Sequence, residues 1–315
     1  MNPASIETRS RSARLGLLQV CAAGVLWGTG GLVVTTLHER DGLGAMTVSA
    51  WRMALAALAL VAFAVVTRRS GVVRETMRAH PVLAVLVGCG TALYQGLYFV
   101  SVLLVGVSIA TVVALGLAPI LASVWEHALA RSLPSAREAV VLAAALAGLV
   151  LITATAGHGS APPGGDPRLG TLLAIGSGAT YAATTVLGHT LAQRVDPVAL
   201  TTCATAAGAV ALLPFLGLAA AMEEPVMSSD PVSLALLLYL GVATMALAYG
   251  LLYAGLRTTS GSAATVATLV EPVSAALLAA LLLGERLAWP ALVGGGLILA
   301  AVVALHPTDE RPAPA

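Results

Sequence analysis

Long apolar stretches recur along the whole chain, separated by short polar breaks. A membrane-spanning helix needs about 20 apolar residues. Ten runs approach or exceed that length: Leu15–Leu37, Met46–Val66, Pro81–Leu104, Val107–Ala130, Arg137–Thr155, Leu169–Leu191, Pro197–Ala221, Val232–Leu256, Ser260–Leu283 and Trp289–His306. The longest break, Ala156–Arg168, is rich in Gly and Pro and falls between runs five and six, so it reads as a loop halfway along the chain. The pattern predicts an all-α integral membrane protein of ten transmembrane helices. Residues 1–14 and 307–315 read as cytoplasmic tails, 15–155 and 169–306 as two five-helix units, and 156–168 as an extracytoplasmic linker.

Composition narrows the class further. The 315 residues are 58% hydrophobic and only 10% charged, against about 25% charged in a soluble domain. That excludes an ordinary cytosolic enzyme and a disordered chain. A net charge of +1 leaves no field to attract polyanions, so no nucleic acid is expected as a partner. Cys21, Cys89 and Cys203 all fall within apolar runs and show no metal-ligand spacing, so no metal, cofactor or disulfide framework is expected. The first run is too long for a cleavable signal peptide and lacks a small-residue cleavage site.

All 16 basic residues are Arg, and their positions orient the helices, because cytoplasmic loops retain positive charge. With the N-terminus inside, twelve Arg lie on the cytoplasmic side. Arg40, Arg168 and Arg286 lie outside, and Arg52 stays within a span. Both termini are therefore expected in the cytoplasm.

The two halves resemble each other. GVLWGTGG (Gly24–Gly31) in run one aligns with GATYAATT (Gly178–Thr185) in run six, matching Trp27 to Tyr181 at an offset of 154. YQGLY (Tyr94–Tyr98) in run three aligns with YGLLY (Tyr249–Tyr253) in run eight at 155. ATVVALGLAP (Ala110–Pro119) in run four aligns with ATVATLVEP (Ala264–Pro272) in run nine. Five helices are an odd number, so the second half must cross the membrane in the opposite sense. Inverted repeats of this kind are the architecture of many secondary transporters, with the substrate site near the midplane between the repeats.

Three stretches carry a family resemblance: AAGVLWGTGG in run one, WRMALAAL (Trp51–Leu58) in run two and LVEPVSAALLAALLLGERL (Leu269–Leu287) in run nine. On these the chain resembles the EamA-domain members of the drug/metabolite transporter superfamily, over nearly its whole length. The resemblance implies transport of small metabolites, often amino acids or related compounds. In the first half, LAPILASVWEHALARSLP (Leu117–Pro134) has Arg131-Ser132 where the family carries Gly-Glu. Any role of that Glu therefore applies to Glu285 alone.

An ionisable group inside a span is a functional candidate by default. Glu271 lies near the middle of run nine, directly before Pro272, where a broken helix would expose backbone polar groups. It is a candidate for binding a substrate ammonium or exchanging a proton; its bland reading is a carboxylate paired within the bundle. Arg52 is expected either to snorkel to the interface or to pair with an acid. His189, Glu126 and His127 sit near cytoplasmic helix ends and are expected to be wetted. Tyr94 and Tyr98 are spaced i, i+4, as are Tyr249 and Tyr253, so each pair shares a helix face. Facing inward with Trp27, Tyr181 and Gln95 they would wall an amphipathic pocket suited to cations or planar groups. Facing outward they would mark the water interface. Glu271, Pro119, Pro272 and Arg52 are the candidates for coupling or gating. Glycines at 28, 30, 31 and 294–296 permit close helix approach. Helices five and ten, poor in polar residues, suit an outer or dimer-facing scaffold.

Two function classes follow. Export of amino acids or related amines and aromatic compounds by alternating access is the main expectation, with efflux of cationic drugs as its alternative. The expected partners are a small-molecule substrate and the lipid bilayer, in one copy or two. An intramembrane protease would need a Ser–His dyad or paired aspartates. Ser177 and His189 are 12 residues apart, roughly 18 Å at helical rise, and no two Asp lie within spans. No catalytic residue is expected.

Overall fold

A computed structural model describes residues 3–155, 166–282 and 288–305. Most of the linker, Glu285, Arg286 and the C-terminal stretch from 306 onward lie outside the described residues. Within them all regular secondary structure is helical. The helices are α1 (Pro3–Asp41), α2 (Ala45–Val66), α3 (Ser70–Ala79), α4 (Pro81–Val105), α5 (Val107–Ala130), α6 (Ala136–Thr155) and α7 (Pro167–Ala192). They continue as α8 (Pro197–Ala221), α9 (Pro231–Tyr239), α10 (Ala248–Gly255), α11 (Gly261–Ala267), α12 (Val270–Leu282) and α13 (Trp289–Ala304).

Among the described residues, eight helical segments are long and apolar enough to cross a membrane, α9–α10 and α11–α12 each counting as one. Large apolar side chains face outward on them: Val66 is 81% exposed, Leu281 79% and Leu129 72%. In water such a surface would be untenable; against lipid it is satisfied. The remaining two expected spans are α7 and α13. α7 has 26 residues but carries hydroxyls throughout and an imidazole at His189. α13 has 16 residues.

Local chemistry explains several starts. Asp166, Asp196 and Asp230 each precede a proline and cap α7, α8 and α9, their carboxylates accepting from the amides two or three residues on. Asp supplies the acceptor, and Pro at the first helical position costs no hydrogen bond.

Four expectations are corrected. Residues 3–14, read as a tail, continue α1. The Arg-rich break between runs two and three forms α3, a two-faced helix packed on α8. Val73, Thr76 and Met77 are its more buried residues, Arg74 and Arg78 are exposed, and Cys203 Sγ reaches Val73 O at 3.7 Å. Run eight is not one α-helix: Leu240–Leu247 is π-helical. Run nine is broken between α11 and α12, just before the Glu271-Pro272 pair where a break was expected, but its carbonyl is not left free. There Pro272 has no N–H to give to Thr268 O, and the Glu271 amide takes that carbonyl instead, at 2.9 Å. The carbonyl expected to be free is therefore satisfied. Pro119, its counterpart, lies inside an uninterrupted α5.

Packing joins the two halves more than it joins neighbours within a half. α1 packs against α10 and α12, and α7 against α4 and α5. α2 packs against α8, and α6 against α13. Glycines set the crossings. A Cβ on Gly24 would meet Thr268, and one on Gly178 would meet Ala114 at 2.6 Å from its carbonyl oxygen. Both members of this pair of contacts are related by 154 residues, as 178 is to 24 and 268 to 114. Gly148 and Gly294 each abut the other's carbonyl oxygen. Gly28 abuts Glu271 O and Ser274, whereas Gly31 and Gly296 face open space and set no crossing.

Candidate functional site

The helix crossings bring aromatic side chains from both halves to one place. Tyr94 is thirteen residues from the start of α4 and eleven from its end, so about 16–20 Å from either end at helical rise. Its hydroxyl pairs with that of Tyr249 at 2.5 Å. Each member of this pair stacks on an aromatic of the opposite half. Trp27 lies 5.0 Å from Tyr249 between ring centroids, and Tyr181 lies 5.0 Å from Tyr94. Tilted aromatic pairs at this spacing stabilise beyond their buried area. The polar tips are also satisfied: Trp27 Nε1 donates to Thr244 O at 2.9 Å, and Tyr181 pairs with Thr268 Oγ1 at 3.1 Å. Tyr253 stacks on Tyr249 at 6.0 Å.

Tyr94, Tyr181, Tyr249 and Tyr253, with Thr91, Thr184, Thr185 and Leu252, enclose a cavity of about 10 Å³. That is about one water. Thr91, Thr184 and Thr185 each donate to a carbonyl one turn back in their own helix, so their hydroxyls keep acceptor capacity toward the cavity.

Not every candidate joins this group. Tyr98 turns to α5 and pairs with Thr111 Oγ1 at 2.7 Å. Gln95 is buried, reaches only Thr91 O at 3.4 Å, and leaves Oε1 without a partner. Glu271 occupies the first turn of α12, where the helix N-terminus favours a carboxylate, but it does not line the tyrosine cavity.

Arg52 neither snorkels nor forms an ion pair. Its Nη2 lies 3.5 Å from Met245 Sδ on the π-helical segment, and its Nε is buried without a partner. Among the described residues the ion pairs are Arg40–Asp230, Arg69–Asp196 and His127–Glu138. Neither Arg52 nor Glu271 is among them. Among the described residues no three His, Cys, Asp or Glu gather as a metal site.

Both rims of the site are closed by bonds between the halves. At one rim, Arg40 Nη2 donates to Asp230 at 3.0 Å, Ser228 to Asp41 at 2.8 Å, and Trp51 Nε1 to Val226 O at 2.7 Å. The Ser233 amide and then Arg40 hold the Asp230 carboxyl below its ordinary range. At the opposite rim, the Glu126 carboxylate accepts from the amides of Gly261 at 2.6 Å and Ser262 at 3.2 Å. Within the second half, Gln193 donates to Leu256 O at 2.7 Å. Glu126, expected to be simply wetted, thus ties α5 to α11. The lining threonines, Thr244, Thr268 and this Glu126 contact were not singled out from sequence. The run of hydroxyls through α7 was the available signal.

The profile of the EamA-like transporter family matches the chain twice, over residues 14–154 and 168–305. An uncharacterized transporter of Bacillus subtilis (strain 168), YwfM, is 27% identical over 294 residues, 93% of this chain and 94% of that protein. An uncharacterized inner membrane transporter of Salmonella typhimurium, YicL, is 25% identical over 302 residues, 95% of this chain and 98% of that protein. A solved crystal structure of a protein 20% identical in sequence superposes with a TM-score of 0.75, over 92% of this chain and 95% of that one. That likeness shows a shared fold.

Proposed function

Because the chain belongs to the EamA-like transporter family, we propose that it carries small metabolites by alternating access across the cytoplasmic membrane of a bacterium. The protein is a multi-pass membrane transporter. The proposed cargo is amino acids or related amines and aromatic compounds, moved outward. The observation that carries this reading is the closed aromatic cavity between the halves, with its two mirrored ring stacks meeting at the Tyr94–Tyr249 hydroxyl pair.

The reading places two five-helix units at 15–155 and 169–306, joined outside the cell and inverted relative to each other, with both termini in the cytoplasm. The doubled family match and the glycine crossings repeated at an offset of 154 support the repeat. The Arg distribution supports the orientation. Since the halves exchange packing partners, they can rock about the tyrosine pair while one rim opens and the other stays bonded. The closed conformation described above would be an intermediate of that cycle, because a water-sized cavity cannot hold a metabolite.

Trp27, Tyr94, Tyr181, Tyr249 and Tyr253 then form the proposed binding walls. Gln95 and Tyr98 become accessible as the halves part. Glu271 is the proposed coupling carboxylate and the Thr268–Pro272 break the proposed hinge; Pro119, in a continuous helix, is a weaker pivot. The tyrosine faces also favour organic cations, so efflux of cationic drugs is the second reading.

Uptake of labelled amino acids, amines and aromatic cations into proteoliposomes, with and without a proton gradient, tests the proposal. Gradient-dependent movement of an amino acid or amine is the expected result. Movement of drug cations alone would favour the second reading, and no movement of any of them would refute both. If Glu271→Gln transports with unchanged pH dependence, the coupling role fails.

A further inference from the structure

A buried guanidinium stays charged at any accessible pH and presents five N–H donors in a rigid planar fork. Inside a membrane such a group is retained where something uses it. In the closed structure Arg52 meets only a thioether through Nη2, a weak acceptor. Its Nε points into protein with no acceptor at all. The intramembrane carboxylate, Glu271, is not ion-paired either among the described residues. Opposite charges held in one interior without contact are an unusual arrangement. Collapse onto each other would have satisfied both.

Where the two groups sit explains why they stay apart. Arg52 lies on α2 against the π-helical Leu240–Leu247, whose Gly241 abuts Arg52 O. Glu271 lies at the start of α12, held against α1 through Gly28. Trp27 lies on α1 between these regions, its indole bonded to Thr244 O of the π segment and stacked on Tyr249. Both irregular segments, the π-helix and the break before Glu271, belong to the second half; their counterparts in α4 and α5 are regular. A π-helical insertion re-aims side chains and concentrates at functional sites.

We propose that Arg52 binds the carboxylate of the transported molecule and Glu271 its ammonium, so that the cargo is a zwitterionic α-amino acid with its side chain against the tyrosines. This rests on the transport reading above and sharpens it. A simple anion would be drawn to Arg52 but repelled by Glu271. A simple organic cation would be drawn to Glu271 but repelled by Arg52. A zwitterion satisfies both, and its carboxylate fits the guanidinium fork with two parallel bonds. The ligand enters when the halves part, since the closed cavity has room for one water only.

The test compares ligands that differ in one charge. The purified full-length protein is challenged with the proteinogenic L-amino acids, each beside its carboxamide and its decarboxylated amine. Thermal stabilisation in detergent reads binding, and competition for uptake in proteoliposomes reads transport. At least one amino acid is expected to bind about tenfold or more tightly than its carboxamide. Arg52→Gln is expected to erase that preference while leaving affinity for the amine. Arg52→Lys, which keeps the charge and loses the fork, is expected to retain part of it and guards against a variant that fails to fold.

Equal binding of acid and carboxamide by the unaltered protein would overturn the proposal whatever the variants do. So would an Arg52→Gln protein that folds and keeps the preference. Movement of amines with no demand for a carboxylate would sink the zwitterion and leave the transport reading standing. If no compound binds or moves, both fall.

Discussion

Replacing Glu126 with Gln is expected to loosen one rim of the protein while leaving the rest of the bundle intact. The carboxylate accepts two backbone amides across the interface between the halves, Gly261 at 2.6 Å and Ser262 at 3.2 Å. A hydrogen bond to a charged group contributes about 1.5–3 kcal/mol and a neutral one about 0.5–1.5. The amide side chain retains one oxygen, so one bond weakens and the other is lost. The Glu126 side chain is only half-buried, and solvent screening argues for the low end. A loss of about 1.5–2 kcal/mol is the resulting expectation, roughly a ten- to thirtyfold shift in local opening at 1.4 kcal/mol per decade. Hydrogen exchange reads this directly, because Gly261 and Ser262 exchange through opening of that contact. In lipid nanodiscs, protection of the peptide spanning residues 257–265 is expected to fall by about that factor, with α4 and α8 unchanged. Unaltered protection at 261 and 262 would refute the idea that Glu126 holds the rim. A uniform loss across all helices would show global destabilisation instead.

Three further outcomes follow from the geometry. Tyr94→Phe and Tyr249→Phe should each cost about 1–3 kcal/mol, because each strands a buried hydroxyl, while the double variant should cost less than their sum; additive losses in reversible unfolding would disprove the bonded pair. Gly148→Ala should cost about 1–3 kcal/mol by overpacking, since its Cβ would lie 2.5 Å from Gly294 O; a variant with unaltered thermal stability would show that α6 and α13 do not meet there. Asp230, depressed by the Ser233 amide and Arg40, should stabilise its rim fully above the ordinary carboxylate pKa. That contribution should fade as pH falls through the lower folded value. Asp230→Ala should flatten this acid dependence of the melting temperature, and an unchanged profile would exclude the contribution.

Much of the architecture was legible before any coordinates. Apolar runs marked the helices because lipid demands about 20 apolar residues and internally satisfied backbone. Trp27 and Tyr181, matched in sequence at an offset of 154, each stack on a tyrosine of the opposite half at 5.0 Å. Less could be read of irregular backbone. Nothing in Leu240–Leu247 announces a π-helix, since its residues suit an α-helix equally well. Pro272 and Pro119 looked equivalent, yet only the first interrupts its helix. α3 was hidden by length, because ten residues with three outward charges resemble a loop more than a helix.

Periodicity, hydrophobicity and charge are local properties, so the chain alone determined its membrane class, its helix positions, the similarity of its halves and its shortlist of chemical residues. Which of those residues meet depends on how helices cross, and crossings are set by small residues whose partners lie far along the chain. The tertiary structure therefore decided that Tyr94 meets Tyr249, that Tyr98 turns away to Thr111, and that Glu126 ties two helices together. It also decided that Arg52, which from sequence should snorkel or pair, does neither. A buried charge has no local signature that distinguishes being satisfied from being held in reserve.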